Sequence, residues 1–173
     1  MPRAIGHVTV AAVGRLRATT VHYFDIGVGR LRERHWQTVQ DDYARRLGRY
    51  TDFQLVEVKD VVGRALPDAV ATAREGEQLL AAGRGARLVL MSAAGREMTS
   101  PELAAWLQGQ LESYGRLAFL VGGPVGFDPA TVAAADEQLA LSRLTFPHEL
   151  ARVVLLEQLY RAFTILHGEP YHK

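Results

Sequence analysis

The sequence predicts an α/β domain built on an open parallel sheet with helices on both faces. Strand-like and helix-like patterns alternate about five times along the chain, the order a wound parallel sheet requires. Two strand candidates, Arg-Leu-Val-Leu-Met at 87–91 and Leu-Ala-Phe-Leu-Val at 117–121, are almost unbroken apolar runs. Such runs are expected where both faces of a strand are covered. Two helix starts carry matching local chemistry, Ser100-Pro101-Glu102 and Asp128-Pro129.

Taken in order, a first strand is expected at 7–13 (His-Val-Thr-Val-Ala-Ala-Val), where β-branched residues concentrate. Val13-Gly14-Arg15-Leu16-Arg17 then recurs as Val28-Gly29-Arg30-Leu31-Arg32, fifteen residues later. Two copies do not make a repeat architecture. Residues 18–27 between them read as an insertion at the first strand–helix connection, spanning about 15–29, or as a duplicated edge of it. Either copy could hold the native position.

Helical spacing follows over 31–48, with Leu31, His35, Val39, Tyr43 and Leu47 at four-residue intervals. Residues 53–58 alternate as a second strand, and 59–66 form a polar, glycine-containing loop. Pro67 and Asp68 open a second helix to about Ala82, with Val70, Ala73, Glu77 and Leu80 stepping round it. Glu75, Gly76 and Glu77 read as surface positions. After the strand at 87–91, Ser100 reads as a hydroxyl N-cap with proline at the first helical position. That helix runs to about Tyr114 and stops at Gly115. Asp128-Pro129 caps a helix to about Asp136, residues 138–141 make a short strand, and a long apolar helix begins near His148.

At 173 residues the chain reads as a single domain spanning 1–173, with a hydrophobic fraction of 48% and a charged fraction of 23%. Apolar runs fall well short of the ~20 residues a membrane span needs. The N-terminus lacks a signal-peptide pattern, so a cytoplasmic location is expected. The absence of cysteine excludes disulfides, thiolate metal sites and a cysteine nucleophile. Net charge is +1, so no global basic field is present. Arg15, Arg17, Arg30, Arg32, Arg34, Arg45, Arg46 and Arg49 crowd the first 50 residues. They read as solvated helix faces before an RNA-facing patch.

In a sheet of this class ligands collect at the carboxyl ends of the strands. That rule brings together the loops after Met91, Val121 and Leu141. Gly122-Gly123-Pro124-Val125-Gly126-Phe127 lets a ligand approach the backbone, although a tight structural turn uses the same residues. It has neither the spacing of a dinucleotide fingerprint nor the Gly-Lys-Ser/Thr of a P-loop. The six histidines show no metal-ligand spacing, so no metal is expected, and no Gly-x-Ser-x-Gly elbow is present. The segment Leu141-Ser142-Arg143-Leu144-Thr145-Phe146-Pro147-His148 mixes turn formers, hydroxyls and apolar side chains, a composition able to offer main-chain polar groups and an apolar slot to a base.

Thr145-Phe146-Pro147-His148, Arg152-Val153-Val154-Leu155, Glu157-Gln158-Leu159-Tyr160-Arg161-Ala162-Phe163 and the ending Pro170-Tyr171-His172-Lys173 closely resemble the RlmH family. These are ribosomal large-subunit pseudouridine methyltransferases of the SPOUT class. Ala12-Val13-Gly14-Arg15-Leu16, Tyr43-Ala44-Arg45-Arg46-Leu47, Glu75-Gly76-Glu77-Gln78 and Val121-Gly122-Gly123-Pro124 follow the family's order, so the resemblance covers all but 18–27. Val125 departs from it, standing where relatives often carry a polar residue.

The resemblance implies a SPOUT methyltransferase fold, a parallel α/β sheet with a C-terminal deep trefoil knot, acting as a homodimer. It implies S-adenosyl-L-methionine as cofactor, with contacts from Met91, Gly122, Gly123, Leu141, Ser142, Arg143, Leu144, Thr145 and Phe146. The implied reaction is methylation of N3 of a pseudouridine in 23S ribosomal RNA on the assembled ribosome. Arg161, Tyr171 and His172 are the catalytic candidates: Arg161 to hold phosphate or imide oxygens, His172 to accept a proton, Tyr171 to stack on the base. Arg161 could instead pair with Glu157 one turn earlier, and a terminal Tyr-His-Lys could simply fray. Methylation of another RNA or a small metabolite, and a non-catalytic RNA-binding role, are the competing readings.

Overall fold

The computed structural model describes residues 22–63 and 65–173. Its elements run β1 (His22–Val28), α1 (Arg34–Leu47), β2 (Asp52–Val58), α2 (Asp68–Ala82), β3 (Arg87–Glu97), α3 (Ser100–Tyr114), β4 (Arg116–Val121), α4 (Pro129–Ala134), β5 (Glu137–Ala140) and α5 (His148–Leu166). The sheet order is β2-β1-β4-β3-β5, and every neighbouring pair is parallel. All carboxyl ends therefore share one edge.

Strand β4 shows why the sheet is covered on both sides. Leu117, Phe119 and Val121 join a core with α1, α3 and α5, while Ala118 and Leu120 pack with Leu79 of α2 on the opposite face. The period-2 alternation of a strand thus buries every residue of an unbroken apolar run. Helix α5 lies between α1 and α3, and its Leu155, Leu156, Leu159, Ala162 and Phe163 are buried there.

The strand expected at 7–13 and the first Val-Gly-Arg-Leu-Arg copy lie outside the described residues. Residues 22–27, part of the stretch expected to be inserted, form most of β1, which stands between β2 and β4. Gly27 pairs with Glu57 on one side and Val121 on the other. The second copy therefore occupies a strand–helix position. Gly29 turns the chain there with a φ of +73°, and Leu31 is buried.

Three local readings are corrected. On α2 the inward face is Ala71, Thr72, Glu75, Gly76 and Leu79, so the expected stripe was one residue out of phase and Val70 is exposed. Glu75 is buried because its Oε1 accepts the backbone N–H groups of Val61 and Val62, at 2.7 and 2.9 Å, fastening the loop after β2. Strand β3 continues to Glu97 instead of ending at Met91. It bulges out after Met91 and rejoins the ladder at Arg96, both residues pairing with Leu139. Gly95 permits this, since a Cβ there would sit 2.5 Å from the Leu139 backbone. Finally, α3 is capped by Thr99, not Ser100, through a reciprocal capping box with Glu102.

Candidate active site

The turn after β4 is tight. Gly126 donates its N–H to the Gly123 carbonyl at 3.0 Å and has a φ of +86°. A Cβ on Gly122 would come within 3.1 Å of the Phe127 ring. Gly122 is thus tight against Phe127, and Gly126 supplies the positive φ that closes the turn.

A cavity of about 60 Å³ opens beside the neighbouring strands, lined among others by Met91, Met98, Phe119, Leu141, Leu155 and Gln158. Of the residues expected to contact a cofactor, Met91 and Leu141 meet in this cavity. Gly122 and Gly123 stand at the end of adjacent β4 and do not line it. Ser142, Arg143, Leu144, Thr145 and Phe146 leave the cavity along the loop from β5 to α5. Ser142 Oγ accepts the Leu144 N–H at 3.1 Å, Arg143 pairs with Glu97 at 3.0 Å, and Leu144 is 72% exposed. Thr145 is exposed and Phe146 half-buried. Among the described residues, 142–146 make no backbone–backbone hydrogen bond, so, the Leu144 N–H held by Ser142 aside, main-chain groups of this loop can serve a ligand.

The C-terminal tail does not fray. Gly168 turns the chain at a φ of +67°, the Glu169 N–H returns to the Thr164 carbonyl at 2.8 Å, and Tyr50 donates its hydroxyl to Glu169 at 2.7 Å. This fold-back sets the Tyr171 ring edge-on against Tyr160, with centroids 4.8 Å apart, and its hydroxyl 3.3 Å from that of Tyr43. The Arg161 guanidinium lies 4.7 Å over the Tyr171 ring and 3.4 Å from His172 Nδ1. Arg161, Tyr171 and His172 are thus brought together, and the competing Glu157 pairing is part of the same cluster. Glu157 Oε1 accepts Arg161 Nε at 3.0 Å, Arg161 Nη2, and the Tyr171 hydroxyl at 3.1 Å.

Burial, then hydrogen bonds with Tyr43 and Glu157, push the Tyr171 phenol well above its usual range. It remains a donor at neutral pH. The hydrogen bonds it donates to Glu157 raise the Arg161 guanidinium further, so its charge is permanent.

The cavity and the tail cluster are joined along α5. Gln158, on the cavity wall, donates Nε2 to Glu157 Oε2 at 2.6 Å and accepts from Ser100 Oγ at 2.8 Å. Sequence reasoning gave Gln158, Tyr43 and Tyr160 no role. The four-residue step from Glu157 to Arg161 is visible in the sequence, but Tyr43 meets Tyr171 across 128 residues with no local signal. Arg152 was also missed. It is fully buried, donating Nη1 to the Gly29 carbonyl at 2.8 Å and pairing with Glu57 at 3.4 Å. Its guanidinium holds the start of α5 against the turn after β1. Among the described residues, no helix is long and apolar enough to cross a membrane.

A family model described as predicted SPOUT methyltransferase matches residues 25–172. Ribosomal RNA large subunit methyltransferase H of Anaeromyxobacter dehalogenans (strain 2CP-1) is 46% identical over 149 residues, covering 86% of this chain and 97% of that protein. The protein of the same name from Limosilactobacillus reuteri is 42% identical over 156 residues, with the same coverage. Among solved structures, a probable methyltransferase from Bordetella pertussis superposes with a TM-score of 0.51 at 16% identity, covering 83% of this chain and 96% of that one. A probable methylase family protein from Haemophilus influenzae gives 0.51 at 15%, covering 89% and 70%. These two likenesses speak to the fold alone. The chain therefore belongs to the SPOUT methyltransferase family, among the ribosomal RNA large subunit methyltransferases H.

Proposed function

We propose that the protein methylates N3 of a pseudouridine in 23S ribosomal RNA, using S-adenosyl-L-methionine and acting on the assembled ribosome in the cytoplasm. The observation that carries this reading is the link along α5. Gln158 on the cavity wall is hydrogen-bonded to the same Glu157 that gathers Arg161 and Tyr171. Helix α5 thereby joins a wall of the ligand pocket to the Arg161 end of the donor cluster.

The residues present fit the cofactor in chemical character. Met91, Leu141 and their neighbours offer an apolar wall, Gln158 an amide, and 142–146 main-chain groups that join no backbone–backbone hydrogen bond among the described residues. Met91, Gly122, Gly123, Leu141, Ser142, Arg143, Leu144, Thr145 and Phe146 would hold it, with the family's trefoil knot bringing their loops together. When bound, the cofactor supplies a methyl group already activated by a sulfonium. The protein's own task is to orient the base and stabilise the charge that develops when the imide nitrogen loses its proton. Arg161, Tyr171 and His172 are the groups placed for that task.

The protein acts as a homodimer in this reading, and its net charge of +1 suits docking on a shaped ribosomal surface better than gripping bare RNA. The test is incubation of purified protein with unmodified ribosomes and labelled cofactor, followed by mass mapping of the RNA. A methyl group on N3 of one 23S pseudouridine, with little transfer to naked RNA, is expected. Label on another RNA would move the reading to a different substrate, and calorimetry without cofactor binding would remove the enzyme.

A further inference from the structure

We propose that Glu157 is a positioning residue that aims Arg161 at His172 and so fixes the His172 imidazole with its proton on Nε2. The chemical use of that arrangement rests on the methyltransferase reading above.

Arg161 has only donors, five N–H groups in a rigid fork, and no acceptor. Glu157 Oε1 takes two of its nitrogens, Nε at 3.0 Å and Nη2. The remaining nitrogen, Nη1, is left facing His172 Nδ1 at 3.4 Å. A contact with a pure donor requires that Nδ1 accept, so Nδ1 carries a lone pair and the proton of the neutral ring sits on Nε2. An imidazolium, or the other tautomer, would aim an N–H at a cation. The exposed His172 ring then presents Nε2–H to its surroundings.

This reverses the role read from the sequence, where His172 accepted a proton. Held this way, it is a hydrogen-bond donor. Set against an imide oxygen of the target base, Nε2–H stabilises the anion left when the ring nitrogen loses its proton, and that proton goes to water. Arg161, which faces the imidazole, and the groups gathered with it fit this assignment. Arg161 is permanently charged, Glu157 is already satisfied by four donor atoms, and the Tyr171 hydroxyl is committed to Glu157 and Tyr43. None of them is free to take up the proton.

Two measurements on the full chain test the inference. Multiple-bond proton–nitrogen correlation NMR near pH 8, with His172 assigned from its loss in His172→Gln, reads the tautomer without substrate. An unprotonated Nδ1 and protonated Nε2 are expected, with the Nδ1 resonance shifting in Glu157→Gln. A protonated Nδ1, or a resonance indifferent to Glu157→Gln, overturns the proposal. In methyl transfer to ribosomes, His172→Gln retains a donor and keeps kcat within about tenfold of wild type. His172→Ala lowers it by about 10²-fold, the usual loss for one missing donor at a developing anion. Equal losses in the two variants overturn the donor role. Glu157→Gln is expected to lower kcat about tenfold with KM for ribosomes unchanged, a split that general destabilisation would not produce. Wild-type protein that shows the tautomer yet methylates no ribosome would sink the methyltransferase reading and leave the positioning by Glu157 standing.

Discussion

The side chain of Arg152 lies directly over Gly27, where a single Cβ would sit 2.8 Å from its Nε. Gly27 is thus the one place in β1 where the absence of a side chain makes room for a buried cation. Arg152 donates there to Gly29 and pairs with Glu57, so one guanidinium ties β1, β2 and α5 together. Removing it leaves a cavity and strands the Gly29 carbonyl. Arg152→Ala is expected to cost about 3 kcal/mol by urea unfolding, and Gly27→Ala about 1–3 kcal/mol through overpacking. In the double variant the two costs should fall well short of adding, because the added methyl would occupy the space the arginine leaves. Full additivity would show that the two residues do not share that space.

Gly76 and Gly109 make a contrasting pair on two helices. A Cβ on Gly76 would collide with Thr131 Oγ1 and Asp128 Oδ1, and Asp128 is the N-cap of α4. Gly76→Ala should therefore push α4 from α2 and disturb its cap, at a cost of about 2 kcal/mol or more. Gly109 lies on the exposed side of α3, and among the described residues nothing comes within 4 Å of the same built atom. Gly109→Ala should stabilise by about 0.5–1 kcal/mol, from helix propensity and a less entropic unfolded chain. Thermal melts of both variants give the two signs.

These residues also mark where the sequence was legible. The alternation of elements, the buried runs of β3 and β4, and the helix starts near Pro101 and Pro129 are local patterns, and they were read within a few residues. Glu75 was not read as buried, because its burial depends on the N–H groups of Val61 and Val62 on a different element. The true phase of α2 was hidden for the same reason, since small and polar residues make its inward face. The β3 extension was invisible because only Leu139, on another strand, explains Gly95. At the site, Arg161, Tyr171 and His172 were recognisable as a set from motif. Their link to the cavity through Gln158 and Ser100 depends on α3 docking beside α5, which no local spacing encodes.

The capping box of α3 predicts an acid effect. Glu102 accepts the Thr99 N–H at 2.7 Å, and the hydrogen bonds from Thr99 hold its carboxyl below the usual 4.5. A lowered folded pKa means the native state binds the proton less readily than the unfolded chain. The stability this group adds is therefore present above pH 4.5 and lost as pH falls through the folded value. Glu102→Gln keeps an acceptor but no charge. Its melting temperature should lie below wild type at pH 7, with the gap closing on acidification. A gap that stays constant from pH 7 to pH 3 would show that the charge contributes nothing.

The tail predicts the opposite limb. Burial, then Glu169, raises the Tyr50 phenol well above its usual 10.0, and burial, then Tyr43 and Glu157, does the same for Tyr171. A raised folded pKa means the native state keeps a proton that the unfolded chain gives up. The stability these hydroxyls confer is full below pH 10 and declines as pH rises towards the folded value. Tyr50→Phe deletes the donor to Glu169 while keeping the ring stacked on Phe163, whose centroid is 5.5 Å away. At pH 8 that variant should be about 1 kcal/mol less stable than wild type by denaturant midpoint, the net worth of one such bond. Raising the pH past 10 erodes wild type and leaves the phenylalanine unaffected at this position, so the two midpoints should converge. Tyr171→Phe should converge likewise, since its hydroxyl gives up the bond to Glu157. If either variant tracks wild type in parallel up to pH 11, that hydroxyl is not held in the tail's hydrogen-bond network in solution.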